Sequence, residues 1–256
     1  MKTTVERRMI IMNKLTDSHQ VYVNELSNEF GVSEVTIRND LKNLEKNKIL
    51  IRARGGAMKM EPVVSYDRLL WEKDKINSRE KHRIGIAAAA LIKESDTVII
   101  DSGTTTMEVV KNISPKITSL TIITNALNIA NQVVLNQNIN LIIPGGNLRK
   151  NSLSLVGSLA EKSLKNFFVD KVFIGVDGFD TQHGISTPNI DEAHLNQVMI
   201  EIAKEVIVVA DSSKFTRRSL AFICSINRIN TVVTDNGIRS IDKKILEDAG
   251  VKVIIA

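Results

Sequence analysis

Three groups of residues in this 256-residue chain have types and spacing that could do chemistry. The first lies in VSEVTIRNDLKNLEK and the following ILIRARGGA. Thr36, Arg38, Asn39 and Lys42 share one predicted helix, with Ser33 just before it. Arg52 and Arg54 sit on a β-like run that ends in two glycines. Arg pairs bidentately with guanine and Asn with adenine. Lys42, Arg52 and Arg54 suit contacts to phosphates or the minor groove, which supply affinity and register.

The second group is the DTVIIDSGTTTMEVV stretch, an apolar strand leading through Ser102, Gly103, Thr104, Thr105 and Thr106 into a helix. Backbone N–H groups at a helix N-terminus, a glycine and several hydroxyls make a phosphate cradle. The same residues also serve as an ordinary start of a helix in an αβ unit. The third group is spread along the chain. It comprises Asn125 in ITNA, Gly145, Gly146 and Arg149 in IPGGNLR, Asp177 in GVDGFD, Asp191 and Glu192 in STPNIDEAHLNQ, and Lys214 in ADSSKF. Acidic residues at a helix start are also common partners of the helix dipole. Near a phosphate cradle, Asp, Glu and Lys suit either a sugar's hydroxyls or acid–base chemistry on it.

These residues need elements to hold them. Helical patterns cover Val5 to Leu15, VNELSNEF with Asn24 as its expected N-cap, and a third segment that starts after Ser33 and runs to about Lys46. In the third, Ile37, Leu41 and Leu44 form a buried stripe at i, i+4 and i+7. Val35, Asn39, Lys42 and Lys46 fall opposite, with Thr36 and Arg38 flanking. Helix, helix, turn, helix and a basic β-hairpin is the layout of a winged helix-turn-helix, whose third helix enters the major groove. Beyond Ser78, short apolar strands alternate with helices, from TVIID through VKVIIA. That alternation predicts a mostly parallel sheet covered on both faces, with ligands at the carboxyl ends of its strands. The expected division is a DNA-binding domain over 1–59, a linker over 60–78 and an α/β domain over 79–256.

Bulk properties agree. Residues 1–59 carry 11 Lys and Arg against 7 Asp and Glu, while the remainder carries 23 against 22. The basic excess thus sits in the first quarter, which suggests a polyanion partner there. The longest apolar run, Ile86 to Ile92, is far too short to span a bilayer, so no membrane partner is expected. The N-terminus reads as a helix and not a signal peptide. A single cysteine, Cys224, excludes an intrachain disulfide and fits a cytoplasmic location. The four histidines and this cysteine lack metal-ligand spacing, and no motif asks for a cofactor.

The run LSNEFGVSEVTIRNDLKNLE, with RARGGA after it, resembles the N-terminal signature of DeoR-type bacterial transcriptional regulators. Asn39 stands where a second Arg is frequent in that family, and Arg54 where His is frequent; both positions bear on which operator is read. SGTTT, the Thr124–Asn125 pair, PGG, GVDG, DEA and DSSKF resemble the effector domain of the same family. The resemblance implies a fold similar to ribose-5-phosphate isomerase and glucosamine-6-phosphate deaminase, and a sugar phosphate as inducer. It also implies phosphate contacts from Ser102, Gly103, Thr104, Thr105 and Thr106, sugar contacts from Asp177, Asp191 and Glu192, and Lys214 as a charged neighbour. The longer runs look especially like repressors of N-acetylgalactosamine and galactosamine utilisation operons. The implied inducers are N-acetylgalactosamine 6-phosphate, galactosamine 6-phosphate or a tagatose phosphate. A homo-oligomer, dimer or tetramer, is expected, because one winged helix seldom reaches specific affinity alone. The competing expectation is a sugar-phosphate isomerase or deaminase with an accessory basic segment, since fold alone does not establish function.

Overall fold

The computed structural model describes residues 3–18, 20–46, 50–53, 55–59 and 67–256. The chain divides into two compact units, Met1–Pro62 and Val63–Ala256.

In the first unit, helix α1 (Thr4–Ser18) is followed by strand β1 (Gln20–Tyr22), helices α2 (Val23–Phe30) and α3 (Glu34–Lys46), and strands β2 (Leu50–Ala53) and β3 (Gly56–Lys59). The three strands form an antiparallel sheet in the order β1-β3-β2. Ile37, Leu41 and Leu44 of α3 pack with Ile11, Leu15, Leu26 and Phe30, as the stripe predicts. Two details differ from expectation. The hairpin gains β1 as a third strand, and the residue flanking α2 is Tyr22, with Asn24 inside the first turn. Here β1 runs straight into the helix, and the Val23 N–H donates to the Gly55 carbonyl at 2.9 Å. A backbone partner from the wing thus replaces a side-chain cap.

The second unit opens with helices α4 (Leu70–Asp74) and α5 (Ser78–Ala89). There follow β4 (Thr97–Ile100), α6 (Thr104–Lys111), β5 (Leu120–Ile123), α7 (Leu127–Val133) and β6 (Ile139–Ile142). Next come β7 (Asn147–Arg149), β8 (Ser154–Val156), α8 (Ser158–Leu164), β9 (Val169–Gly175), β10 (Gly178–Asp180) and β11 (Gly184–Thr187). The chain ends with α9 (Ile190–Glu201), β12 (Ala203–Val209), β13 (Ala221–Cys224), β14 (Thr231–Thr234), α10 (Ser240–Asp248) and β15 (Lys252–Ile255). Seven strands form a parallel sheet in the order β15-β14-β12-β9-β4-β5-β6. Alternate residues feed opposite cores: Ile99, Val172 and Ile174 one, Val98, Ile100 and Phe173 the other. Both faces are therefore covered, which is why these strands read as nearly continuous apolar runs.

The strand order reverses between β4 and β9, whose neighbours lead away in opposite directions. A crevice opens at such a switch point, beyond the carboxyl ends of the strands. Two smaller sheets border this end of the unit, the hairpin β7-β8 and the antiparallel trio β10-β11-β13. Of the stretch expected as a linker, residues 60–66 lie outside the described residues. Residues 67–78 hold α4 and the first residue of α5, within the second unit. Among the described residues, no helix is long and apolar enough to cross a membrane.

Candidate functional site

The first unit presents one polar helix face. Ser33 starts α3: its Oγ accepts from the Thr36 N–H at 3.3 Å and lies 3.0 Å from Thr36 Oγ1. Arg38, Asn39 and Lys42 are exposed on the following turns, and Arg52 is exposed on the wing. Arg38 lies 2.5 Å from Glu34, and both side chains are about half exposed. Exposed pairs of this kind add little stability, so Arg38 can leave Glu34 for a stronger acceptor at small cost. Arg52 sits 3.9 Å from Glu45. Arg54 lies outside the described residues.

The inner face of α3 carries a buried charge. Asp40 accepts from Arg7 Nε and Arg8 Nε, each at 2.9 Å, and is 2% exposed. Its position belongs to the stripe of Ile37, Leu41 and Leu44. The carboxylate bolts α1 to the back of α3 and so fixes the direction in which Arg38, Asn39 and Lys42 point.

In the second unit the crevice collects groups from many strand ends. Gly103 joins β4 to α6 with φ 155° and ψ 167°, a backbone region open essentially to glycine alone. Thr104 and Thr105 follow at the helix N-terminus. Thr106 is fully buried and its hydroxyl donates to the Gly103 carbonyl at 3.1 Å. That side chain holds the loop together and does not face the crevice. Beyond β9, Asp177 accepts from Lys73 Nζ at 2.8 Å and Lys214 Nζ at 3.5 Å. Beyond β12, Asp211 accepts from Asn77 Nδ2 at 2.8 Å and from Ser213.

Lys81 completes the cationic group. Its ammonium is buried and donates to the Lys73 carbonyl. One turn further along α5, Gly85 lies so close to Glu108 of α6 that an added Cβ would meet Glu108 Cβ at 2.5 Å. Both helices run against the strands, so this close approach brings the Lys81 end of α5 beside the Thr104 end of α6.

The hairpin side of the crevice is held by a second network. Glu192 accepts from Arg149, from Ser154 Oγ at 3.0 Å and from Thr187 Oγ1 at 3.3 Å. Arg149 also reaches Asp67. Gly145 and Gly146 turn the chain from β6 into this hairpin. Asn125, at the end of β5, is buried, and its Oδ1 has no hydrogen-bond partner among the described residues. Asp191, by contrast, is exposed on the first turn of α9 and stands apart from these contacts.

Burial sets the charge states. Desolvation pushes the Asp101 pKa up to about 7, and the nearby Glu192 carboxylate adds to this against hydrogen bonds from Asn196 and Ser102. For Asp177 burial again opposes ionisation, but Lys73 and Lys214 outweigh it and hold its pKa below the ordinary carboxylate value. Burial lowers the Lys81 pKa, with Asp211 opposing and Lys214 reinforcing the shift. The crevice is therefore divided, with Lys73, Lys81 and Lys214 grouped around Asp177 and Asp211 on one side and Glu192 paired with Arg149 towards β8 and α9 on the other. A cation cluster beside helix N–H groups takes an anion, and flanking carboxylates take hydroxyls.

A model of the DeoR-like helix-turn-helix domain matches residues 7–63, and a model of the DeoR C-terminal sensor domain matches residues 76–236. The chain belongs to the DeoR family. Among its relatives, a protein of Escherichia coli O157:H7 named for repression of the aga operon is 43% identical over 98% of this chain and 94% of its own length. The regulator GlpR of Haloferax volcanii is 35% identical over 97% and 96%, and the repressor AccR of Agrobacterium fabrum 33% over 99% and 98%. Among solved structures, ribose 5-phosphate isomerase A of Methanocaldococcus jannaschii matches 55% of this chain and 56% of its own, at 16% identity and TM-score 0.41. The full-length sorbitol operon regulator SorC of Klebsiella pneumoniae matches 94% and 98%, at 13% identity and TM-score 0.42. This DeoR-family chain is a transcriptional repressor, not an isomerase or deaminase.

Sequence reasoning about this DeoR-family chain missed Asp40, Asp67, Lys73, Lys81 and Asp101. Two left a trace: Asp40 and Lys81 each interrupt an apolar helical stripe, the latter at i before Ile84, Gly85 and Ala88. A charge on a buried stripe must find a partner or a ligand. Asp67 and Lys73 left none, because their partners lie 82 and 104 positions away.

Proposed function

We propose that this repressor controls an amino-sugar utilisation operon and is released from its operator by a phosphorylated sugar. The observation that carries the effector class is the divided crevice. Lys81 and Lys214, with Asp177 and Asp211 beside them, lie towards the Ser102–Thr106 turn, while Glu192 and Arg149 pair on the hairpin side. A phosphate is the anion matched to the first group, with Ser102, Gly103, Thr104 and Thr105 supplying hydroxyls and backbone N–H groups. The carboxylates, Asn125 and the hairpin residues Gly145, Gly146 and Arg149 would take the sugar. Asp191 stays a weaker candidate because it is exposed. The amino-sugar pathway draws on the aga-named relative.

On the DNA side, Arg38 and Asn39 read bases, Ser33 and Thr36 start the helix and line its edge, and Lys42, Arg52 and Arg54 contact phosphates. Two copies or more bind together, giving paired half-sites.

The test is thermal unfolding of the purified protein against N-acetylgalactosamine 6-phosphate, galactosamine 6-phosphate and tagatose phosphates, with the unphosphorylated sugars as controls. A ligand of the native state raises the midpoint by mass action. A rise with one of the phosphates and none with its parent sugar is expected. No rise with any phosphate would discard both the inducer class and the site.

A further inference from the structure

We propose that residues 67–77 form a strap that occupies the effector crevice in the effector-free protein, and that the effector displaces it. The proposal rests on the crevice being the effector site. The strap is the first described stretch of the second unit, and it includes helix α4.

Its contacts run across the carboxyl end of the sheet. Asp67 Oδ2 accepts from Arg149 and, at 3.0 Å, from Asn151 Nδ2. The Leu70 N–H donates to the Asn151 carbonyl at 2.8 Å. Lys73 Nζ lies 2.8 Å from Asp177, and the Lys73 carbonyl takes the Lys81 ammonium. Asn77 Nδ2 donates to Asp211 at 2.8 Å and Ser213 Oγ at 3.2 Å. Arg149, Asp177 and Lys81, three crevice groups assigned to the effector, are thus engaged by strap atoms.

The strap's own helix is held weakly. No side chain of α4 is buried, and Trp71 is 59% exposed. An element fixed by polar contacts over little apolar burial opens at low cost. Asp67 offers Arg149 an oxygen acceptor, as the sugar's hydroxyls would, and Lys73 satisfies the carboxylate that those hydroxyls would satisfy. Strap and effector present equivalent chemistry to the same partners, so they compete. Release of residues 67–77 lengthens the stretch of chain that joins the winged helix to the sheet. Paired half-site binding depends on that connection through effective concentration. An effector that binds only the released form therefore lowers operator affinity.

The experiment uses full-length protein, a DNA duplex selected by it from a random library, and hydrogen exchange at the Leu70 amide. Asp67→Ala removes a strap partner of Arg149. Without any effector it should exchange Leu70 faster and bind the duplex about fivefold or more weaker, within the usual range of allosteric coupling. Wild-type duplex affinity, or unchanged Leu70 exchange, in Asp67→Ala would overturn the proposal. In the wild type, galactosamine 6-phosphate should speed Leu70 exchange, with inorganic phosphate as the comparison. If it raises the unfolding midpoint yet slows Leu70 exchange, the strap closes over the ligand and displacement is wrong. If no sugar phosphate shifts the midpoint, the effector assignment fails, and the Asp67→Ala arm still decides the role of the strap.

Discussion

The Lys73 ammonium lies 2.8 Å from the Asp177 carboxylate, across 104 positions of sequence. Lys214 lies on the other oxygen of the same carboxylate at 3.5 Å. One acidic group therefore balances two cations, and the third, Lys81, is left with a backbone carbonyl as its hydrogen-bond partner. Asp211 and Asp74 act on Lys81 in turn, so ammonium and carboxylate groups are close to balanced here.

Thr105→Asp tests that balance directly. A carboxylate in the first turn of α6 suits the helix dipole, so folding should survive. It also puts a second negative charge where the phosphate is expected. The variant should bind operator normally and ignore the sugar phosphate in a release assay. Normal release would remove the SGTTT turn from the site.

Arg38→Ala addresses base reading. If Arg38 contacts a base edge, specific operator affinity should fall by about 1–3 kcal/mol and preference at that base pair should relax. Competition against mutated operators measures both. An equal loss on every DNA would show that Arg38 touches only phosphate.

Asp40→Ala should unfold the first unit selectively. It removes the carboxylate shared by the buried Arg7 and by Arg8, and breaking a buried pair on one side costs about 3–5 kcal/mol. Circular dichroism should then show a separate, lower transition, with the second unit melting as before. A single unchanged transition would mean that the Arg7–Asp40–Arg8 contact contributes little.

Asp101 predicts a pH dependence. Its folded pKa of about 7 exceeds the ordinary carboxylate value of 3.8. The folded state thus keeps a proton that the unfolded state has lost, and stability falls as pH rises from about 4 through 7. Asp101→Asn, an uncharged mimic of the protonated form, should flatten that decline. Urea midpoints at several pH values would show it. A wild-type slope in the variant would assign the dependence elsewhere.

Much of this architecture was legible in the sequence. Ile37, Leu41 and Leu44 announce the recognition helix because one periodicity governs both burial and pattern. The parallel strands announce themselves because burial on two faces demands unbroken apolar runs such as TVII and VIVV. The strands β7, β8, β10, β11 and β13 escaped, since runs of only three or four residues are too short to carry a period. Those short strands and the strap supply Arg149, Ser154 and Thr187 around Glu192, and Asp67 and Lys73 around the crevice. Glu192 was visible as a residue, but its neighbours come from separate strands and so were not. Asp191, its equal in sequence, is turned out to solvent simply by standing one residue earlier on α9.

Among the described residues, the apolar core that runs from Ile11 to Ala57 is built from residues of the first unit. Two cores separated in this way can evolve at different rates. A lineage can acquire a new promoter preference by altering Arg38 or Asn39 without repacking the sheet. It can equally adopt a new nutrient signal by altering the crevice while its promoters stay fixed. Recombination within residues 60–66 would exchange one capacity and leave the other whole.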